Sequence, residues 1–204
     1  MSRMIQLAGI AVDALSVGGL ETCIQIPGWD LAFDIGRCPA SVVSRSHVLF
    51  THAHMDHMGG VAFHAATRSM RNMAPPTYLV PRENVEAFGQ LFEAWRKLDR
   101  SRMPHTVVPI GPGETFSLPC GHEVRPFRSL HRVPCQGYGV WSIRKRLREE
   151  FRGLPGPEIA RLRKEENVEV SESFEAPEFV FTGDSKIEVL DRESVVGQAR
   201  VLVM

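Results

Sequence analysis

The chain has no excess of charge of either sign: 24 Lys and Arg stand against 24 Asp and Glu in 204 residues. That balance excludes a binding surface for nucleic acid spread over the whole molecule, so any basic patch must be local. No apolar run approaches the roughly 20 residues needed to cross a bilayer, and no membrane partner is expected. The mildly apolar stretch from Met1 to Leu20 lacks a charged leader followed by a small-residue cleavage site, which argues against a secretory signal. The four cysteines, Cys23, Cys38, Cys120 and Cys135, include no CxxC pair and read as reduced thiols of a cytoplasmic protein rather than a disulfide framework. Internal repeats and low-complexity tracts are also absent, and the length suits one domain spanning 1–204.

What is present reads as mixed α/β. Leu20, Thr22, Ile24 and Ile26 alternate with Glu21, Cys23 and Gln25, the pattern of a half-buried strand, and Leu31, Phe33 and Ile35 resume it after a turn at Gly28. Val48, Leu49 and Phe50 form a short apolar run suited to a strand covered on both faces. Val85, Phe88, Leu91, Phe92, Trp95 and Leu98 recur at three- and four-residue spacing, which predicts a helix over 84–98 whose stripe belongs to the core. Further strands are expected at 107–110, 115–118, 179–181 and 201–204. A short helix is expected around Ile159 and Leu162, with Pro157 in its first turn.

The chemistry is concentrated in Thr51-His52-Ala53-His54-Met55-Asp56-His57-Met58-Gly59-Gly60. Three imidazoles and a carboxylate follow an apolar strand within six residues and run into a Gly-Gly turn, so their side chains can converge on one point. Imidazole and carboxylate are zinc ligands. One loop cannot complete two metal shells, and further ligands must come from distant strands.

HAHMDH resembles the HxHxDH signature of the metallo-β-lactamase superfamily. Phe181-Thr182-Gly183-Asp184-Ser185 is similar to that superfamily's strand–Thr-Gly-Asp turn, and His131 falls where it places a third histidine. Closer likeness, to the plant-type short enzymes of the ribonuclease Z family, lies in Ala32 through Pro39, in Gln136-Gly137-Tyr138 and in Ile143 through Lys164. The resemblance implies a four-layer αβ/βα sandwich with the metal site at the edge between its sheets. It implies two Zn2+ ions, one on His52, His54 and His131, the other on Asp56 and His57, with Asp184 shared between them. Asp56 would also orient and deprotonate the attacking water. The implied activity is removal of the 3′ trailer from precursor tRNA by a homodimer. His47, His64, His105 and His122 match no ligand position and read as structural or solvent-facing, and Cys135 is not assigned as a ligand.

The family carries a tRNA-gripping arm between its third histidine and its bridging aspartate. Residues 143–166 occupy that interval, with Arg144, Lys145, Arg146 and Arg148 as candidate substrate contacts. Interleaved glutamates make a solvated, ion-paired face the plainer reading of this segment. The chain ends within the apolar run Val201 to Met204, so the second half of the sandwich is expected to be incomplete at the C-terminus, without the family's last zinc ligand and its proton-donor histidine. Two other functions share the motif. One is a small-molecule phosphodiesterase or arylsulfatase-like hydrolase, which needs no basic arm. The other is a non-catalytic tRNA-binding fragment, which would hold one metal or none.

Overall fold

The computed structural model describes residues 3–204. Strands β1 (Arg3–Leu7), β2 (Ile10–Val17) and β3 (Glu21–Ile26) make an antiparallel meander, and β4 (Leu31–Phe33) returns antiparallel to β3. Parallel strands β5 (His47–Leu49), β6 (Thr77–Pro81) and β7 (Thr106–Ile110) extend this seven-stranded sheet. Parallel pairing requires crossovers. Helices α1 (Met55–Met58) and α2 (Val61–Met70) supply the first, and α3 (Val85–Asp99) supplies the second.

The second sheet is mainly antiparallel. It holds β8 (Phe116–Ser117), β9 (His122–Ser129), β10 (Cys135–Leu147) and β11 (Ser171–Phe181), with β12 (Val201–Val203) parallel to β11. Helix α4 (Gly156–Lys164) lies in the β10–β11 connection. Short helices α5 (Val189–Arg192) and α6 (Ser194–Gln198) precede β12.

Three apolar clusters define the layers. Between the sheets, Ile24, Phe33, Leu49 and Leu79 of the first meet Tyr138, Val140, Phe179 and Phe181 of the second. Phe33 lies 5.6 Å from Phe179 and 5.5 Å from Phe181, ring centre to ring centre. Each such fully buried side chain contributes roughly 1.5–3 kcal/mol, so this interface sets the spacing of the two sheets. Phe50, Tyr78, Phe88 and Phe92 fill the space between the first sheet and its helices, and Phe127, Val180, Val189 and Val196 seal α5 and α6 onto the second. The order helix–sheet–sheet–helix is the four-layer sandwich expected from the resemblance.

Two expectations are corrected here. Cys23 and Gln25 do not face solvent; both are 1% exposed, because β3 is an inner strand whose second face is covered as well. The α3 stripe is only half core. Phe88 and Phe92 are buried, while Leu91, on the flank of the buried face, and Trp95 and Leu98, further along, are exposed.

The β10–β11 hairpin outgrows the sandwich. β9 pairs with β10 only as far as His122 opposite Ser142, and beyond that point β10 and β11 pair with each other alone, to Leu147 opposite Ser171. Residues 143–146 are exposed there. The basic segment is therefore a two-stranded stalk carrying α4 at its end.

Candidate metal centre

The site lies where several chain segments end at one edge of the sandwich. β4 ends just before Asp34, β5 just before the histidine run, and β11 just before Thr182-Gly183-Asp184. The β9–β10 turn brings His131, and a bond from Gln136 N to Thr51 O (3.0 Å) ties the second sheet to the histidine loop.

His52, His54, His131 and Asp184 each offer a ligand atom, and these atoms lie within 4.8 Å of one another. His52 Nε2 is 2.9 Å from His54 Nδ1, and His131 Nε2 is 3.4 Å from the same Nδ1. Nitrogens about 2.0–2.1 Å from a tetrahedral ion lie about 3.3–3.4 Å apart, so the cluster is close to the size of a zinc shell. Beside it, His57 Nε2 is 3.2 Å from Asp184 Oδ1 and 3.7 Å from Asp56 Oδ2. Asp184 thus faces both groups, with Oδ1 toward His57 and Oδ2 toward His131 at 3.9 Å. The six side chains singled out from the sequence come together, and this donor set fits two divalent ions sharing a carboxylate.

The electrostatics suit the same purpose. Burial, followed by repulsion from His57, His54 and His131, pushes the His52 pKa down to about 3, so its imidazole stays neutral with a lone pair to offer. Burial also pulls His57 down. The Asp34 hydrogen bond and the charges of Asp34, Asp184 and Asp56 outweigh it and lift His57 above its ordinary value. Partial burial of Asp56 is likewise outweighed, by hydrogen bonds to its carboxylate from its own N–H and that of Gly19 and by the charge of His57, and its pKa is held below the usual range. Burial pushes the Cys135 thiol up to about 12. Its Sγ sits 3.8 Å from His52 Nδ1 and 3.5 Å from the carbonyl of Asp184, as a packed neutral group.

No family model matches this chain. It is 41% identical over 204 residues to a tRNase Z of Arabidopsis thaliana, an alignment covering 99% of this chain and 72% of that protein. The chain belongs to the ribonuclease Z family. A nuclear ribonuclease Z of Triticum aestivum is 41% identical to this family member over 159 residues, 78% of this chain and 90% of that one. The crystal structure of human tRNase Z, short form, aligns with a TM-score of 0.44 and 19% identity, covering 65% of this chain and 58% of that one.

The sequence motifs leave out the groups that aim the ligands of this ribonuclease Z. Asp34 is completely buried, and its Oδ2 accepts the His57 Nδ1 proton at 2.8 Å and the Thr51 hydroxyl at 2.7 Å, while Oδ1 accepts the Thr51 N–H at 2.9 Å. With its hydrogen committed to Asp34, Thr51 Oγ1 accepts from His52 Nδ1 at 3.0 Å. Both tautomers are thereby set, leaving Nε2 of His52 and of His57 pointing at the cluster. Gly19, in the β2–β3 turn, donates its N–H to Asp56 Oδ2 at 2.9 Å and steadies that carboxylate from across the edge. The sequence marked Asp34 only as the Asp closing the apolar run Leu31-Ala32-Phe33, within the family-like stretch Ala32 through Pro39.

Two glycines permit the approach. A side chain on Gly36 would collide with the carbonyl of Asp56. Gly183 has φ +60, and a Cβ there would sit 2.8 Å from the Thr51 side chain, so the Thr-Gly-Asp turn can press against the histidine loop only as it is.

His64, His105 and His122 are structural, as expected. His64 bonds Tyr78 and the Val42 carbonyl, His105 stacks on Phe92 at 3.8 Å, and His122 lies on Trp29 at 4.3 Å. Three of the four proposed tRNA contacts have carboxylate partners: Arg144 with Glu178, Arg146 with Glu172 and Arg148 with Glu150. Lys145 has none among the described residues, and with Arg146, Arg163 and Lys164 it lines a cleft of about 610 Å³ between the stalk and α4.

Proposed function

We propose that the chain is a metal-dependent endoribonuclease that removes the 3′ trailer from precursor tRNA. The observation that carries this reading is the convergence of three histidines and one carboxylate around a single point, with a second histidine–aspartate pair sharing that carboxylate. Membership of a family whose named relatives are tRNase Z enzymes supports the substrate.

In this reading the ions are zinc, one held by His52, His54 and His131 and one by Asp56 and His57, with Asp184 between them. Zinc would supply Lewis acidity toward the phosphate and lower the pKa of a water toward ~7. The chain's own groups do the rest. Asp34 and Thr51 keep the two buried imidazoles aimed. Asp56 has Oδ2 occupied by Gly19, so its Oδ1 is left to orient the attacking water and take its proton. The bond formed is from that water oxygen to phosphorus and the bond broken is P–O3′; the departing 3′ oxygen takes a proton from solvent to become the 3′ hydroxyl of the tRNA, and the phosphate stays on the trailer. The stalk and α4 hold the tRNA body through Lys145, Arg163 and Lys164 together with the ion-paired Arg144, Arg146 and Arg148. Four free thiols fit the reducing cytoplasm as its location, and the exposed Phe63, Trp95 and Leu98 of α2 and α3 support a homodimer.

The test is incubation of the zinc-loaded protein with a precursor tRNA and mapping of the product ends. A single cut at the 3′ side of the tRNA body, abolished by a chelator, is expected. Asp56→Asn keeps the shape of the side chain and removes most of its basicity, so turnover should drop roughly 100-fold or more with metal content unchanged. Hydrolysis of a simple phosphodiester with no cleavage of precursor tRNA would contradict the reading and favour a small-molecule phosphodiesterase.

A further inference from the structure

Seven of the 24 cationic side chains, Arg82, Arg125, Arg144, Arg146, Arg148, Arg161 and Arg200, have carboxylate partners among the described residues. Among the unpaired cations, four stand beside the metal cluster. The side chains of Arg128, Arg132, Lys186 and Arg192 have no ion pair and no hydrogen bond among the described residues, and all four are exposed.

They are arranged as two pairs. Arg128 and Arg132 line a cleft of about 520 Å³, with Glu83 as its one carboxylate, that reaches His131. Lys186 and Arg192 line a second cleft of about 220 Å³, with Glu188, and that cleft also reaches His131. Each cleft therefore carries one net positive charge. A third cleft, of about 330 Å³, joins His131 to Asp184. Three openings meet at one ligand histidine, and the outer two are cationic.

The segments that carry the pairs are stitched together. Ser129 Oγ donates to the carbonyls of Thr182 (2.8 Å) and Asp184 (3.2 Å), and Lys186 N donates to Leu130 O (3.0 Å). The backbone on either side of His131 and Asp184 is thus held together, with Arg128, Arg132 and Lys186 rooted close to it. Exposed cations left without partners, on a rigid frame next to a phosphoryl-transfer centre, suit a linear polyanion.

Resting on the function proposed above, we propose that these clefts form one track for single-stranded RNA crossing the metal cluster. Arg128 and Arg132 hold backbone phosphate on one side of the scissile bond. Lys186 and Arg192 hold it on the other. The stalk would then grip the folded tRNA body, and this track the unpaired end.

The test has two arms. The first measures, by fluorescence anisotropy, binding of a labelled single-stranded RNA decamer with hydrolysis-resistant phosphorothioate linkages to the zinc-loaded full chain. R128A/R132A and K186A/R192A should each weaken binding about tenfold. Each should also reduce the slope of log affinity against log salt by about 1.4, the value for two lost contacts to a single strand. R128K/R132K keeps the charge and should restore most of the slope, which separates lost contacts from lost folding. K97A/R102A, at the far end of α3, should change neither quantity. Changes under twofold in both double variants would overturn the track. The second arm compares KM for precursor tRNA carrying a long or a one-nucleotide trailer, and shortening the trailer should erase the effect of one pair only. Equal sensitivity of both pairs to trailer length would show that the track does not cross the cluster. If precursor tRNA is not cleaved at all, the proposed function falls, and the decamer arm still decides the track.

Discussion

At the residue scale, the candidate metal ligands were legible and their supports were not. His52, His54, Asp56 and His57 announce themselves by crowding into six residues, and chemistry alone can interpret that crowding. Asp34 and Thr51 are ordinary residues at the ends of apolar strands, and their role exists only because β4 and β5 are parallel neighbours that end side by side. Asp34→Asn keeps the shape but turns one oxygen into a donor, which meets either the Thr51 backbone N–H or both the Thr51 hydroxyl and the His57 N–H. Zinc affinity should fall about 10- to 100-fold, the usual cost of losing such a support. Competition with a chromophoric chelator measures this directly, and unchanged affinity would show that the two imidazoles are held by packing alone.

His64 offers a second test at this scale. Burial, then the nearby Arg68 charge, pushes its pKa down from 6.5 to about 4. Below pH 6.5 the unfolded chain takes up a proton that the folded chain refuses until about pH 4, so stability is lost as pH falls through that window. The contribution is about 3 kcal/mol. His64→Gln should cost about 1 kcal/mol at pH 7.5 through its imperfect bonds to Tyr78 and Val42, yet lose less than the parent between pH 7 and 4.5. Urea unfolding of both proteins across that range measures the difference, and parallel losses would mean that His64 is protonated in the folded state.

At the scale of elements, short strands with strong apolar patterns were readable: β3, β4, β5, β7 and the start of α3 fall where periodicity puts them. Of the long hairpin, β10 was not and β11 only at its end, 179–181, because alternation breaks where the hairpin leaves the sandwich and both faces become polar. Arg144 to Arg146 are strand residues, and pairing between β10 and β11 sets them opposite Ser173 to Phe174 and Glu172. Three of the stalk's arginines are tied to carboxylates. Arg144 in particular meets the buried Glu178, which Ser142 and Arg200 also hold, at the root of the stalk. The cations free to meet phosphate are Lys145 on the strand and Arg163 and Lys164 on α4. Replacing these three with alanine should raise KM for precursor tRNA about tenfold and flatten its salt dependence, with kcat at saturation retained. An unchanged KM would mean that the stalk does not carry the tRNA body.

At the scale of the whole molecule, the sandwich exists to bring distant segments to one edge. Ligands at 52–57, 131 and 184 sit on two different sheets, and the Phe33, Phe179 and Phe181 contact that holds the sheets together lies directly beneath them. The sequence showed the family and the candidate ligand residues, whereas the balance between paired and free cations became visible only with side chains in place. The central claim is a centre for two metals assembled by both sheets. Equilibrium dialysis of the metal-free protein against zinc, followed by elemental analysis, measures it most directly. The account predicts up to two zinc ions per chain, the second held more weakly because only Asp56, His57 and the shared Asp184 face it, about one in His54→Ala, whose loss opens the three-histidine shell, and fewer than one in Asp184→Ala, which both shells share. A parent protein that holds no zinc, or an Asp184→Ala variant that still holds two, would contradict it.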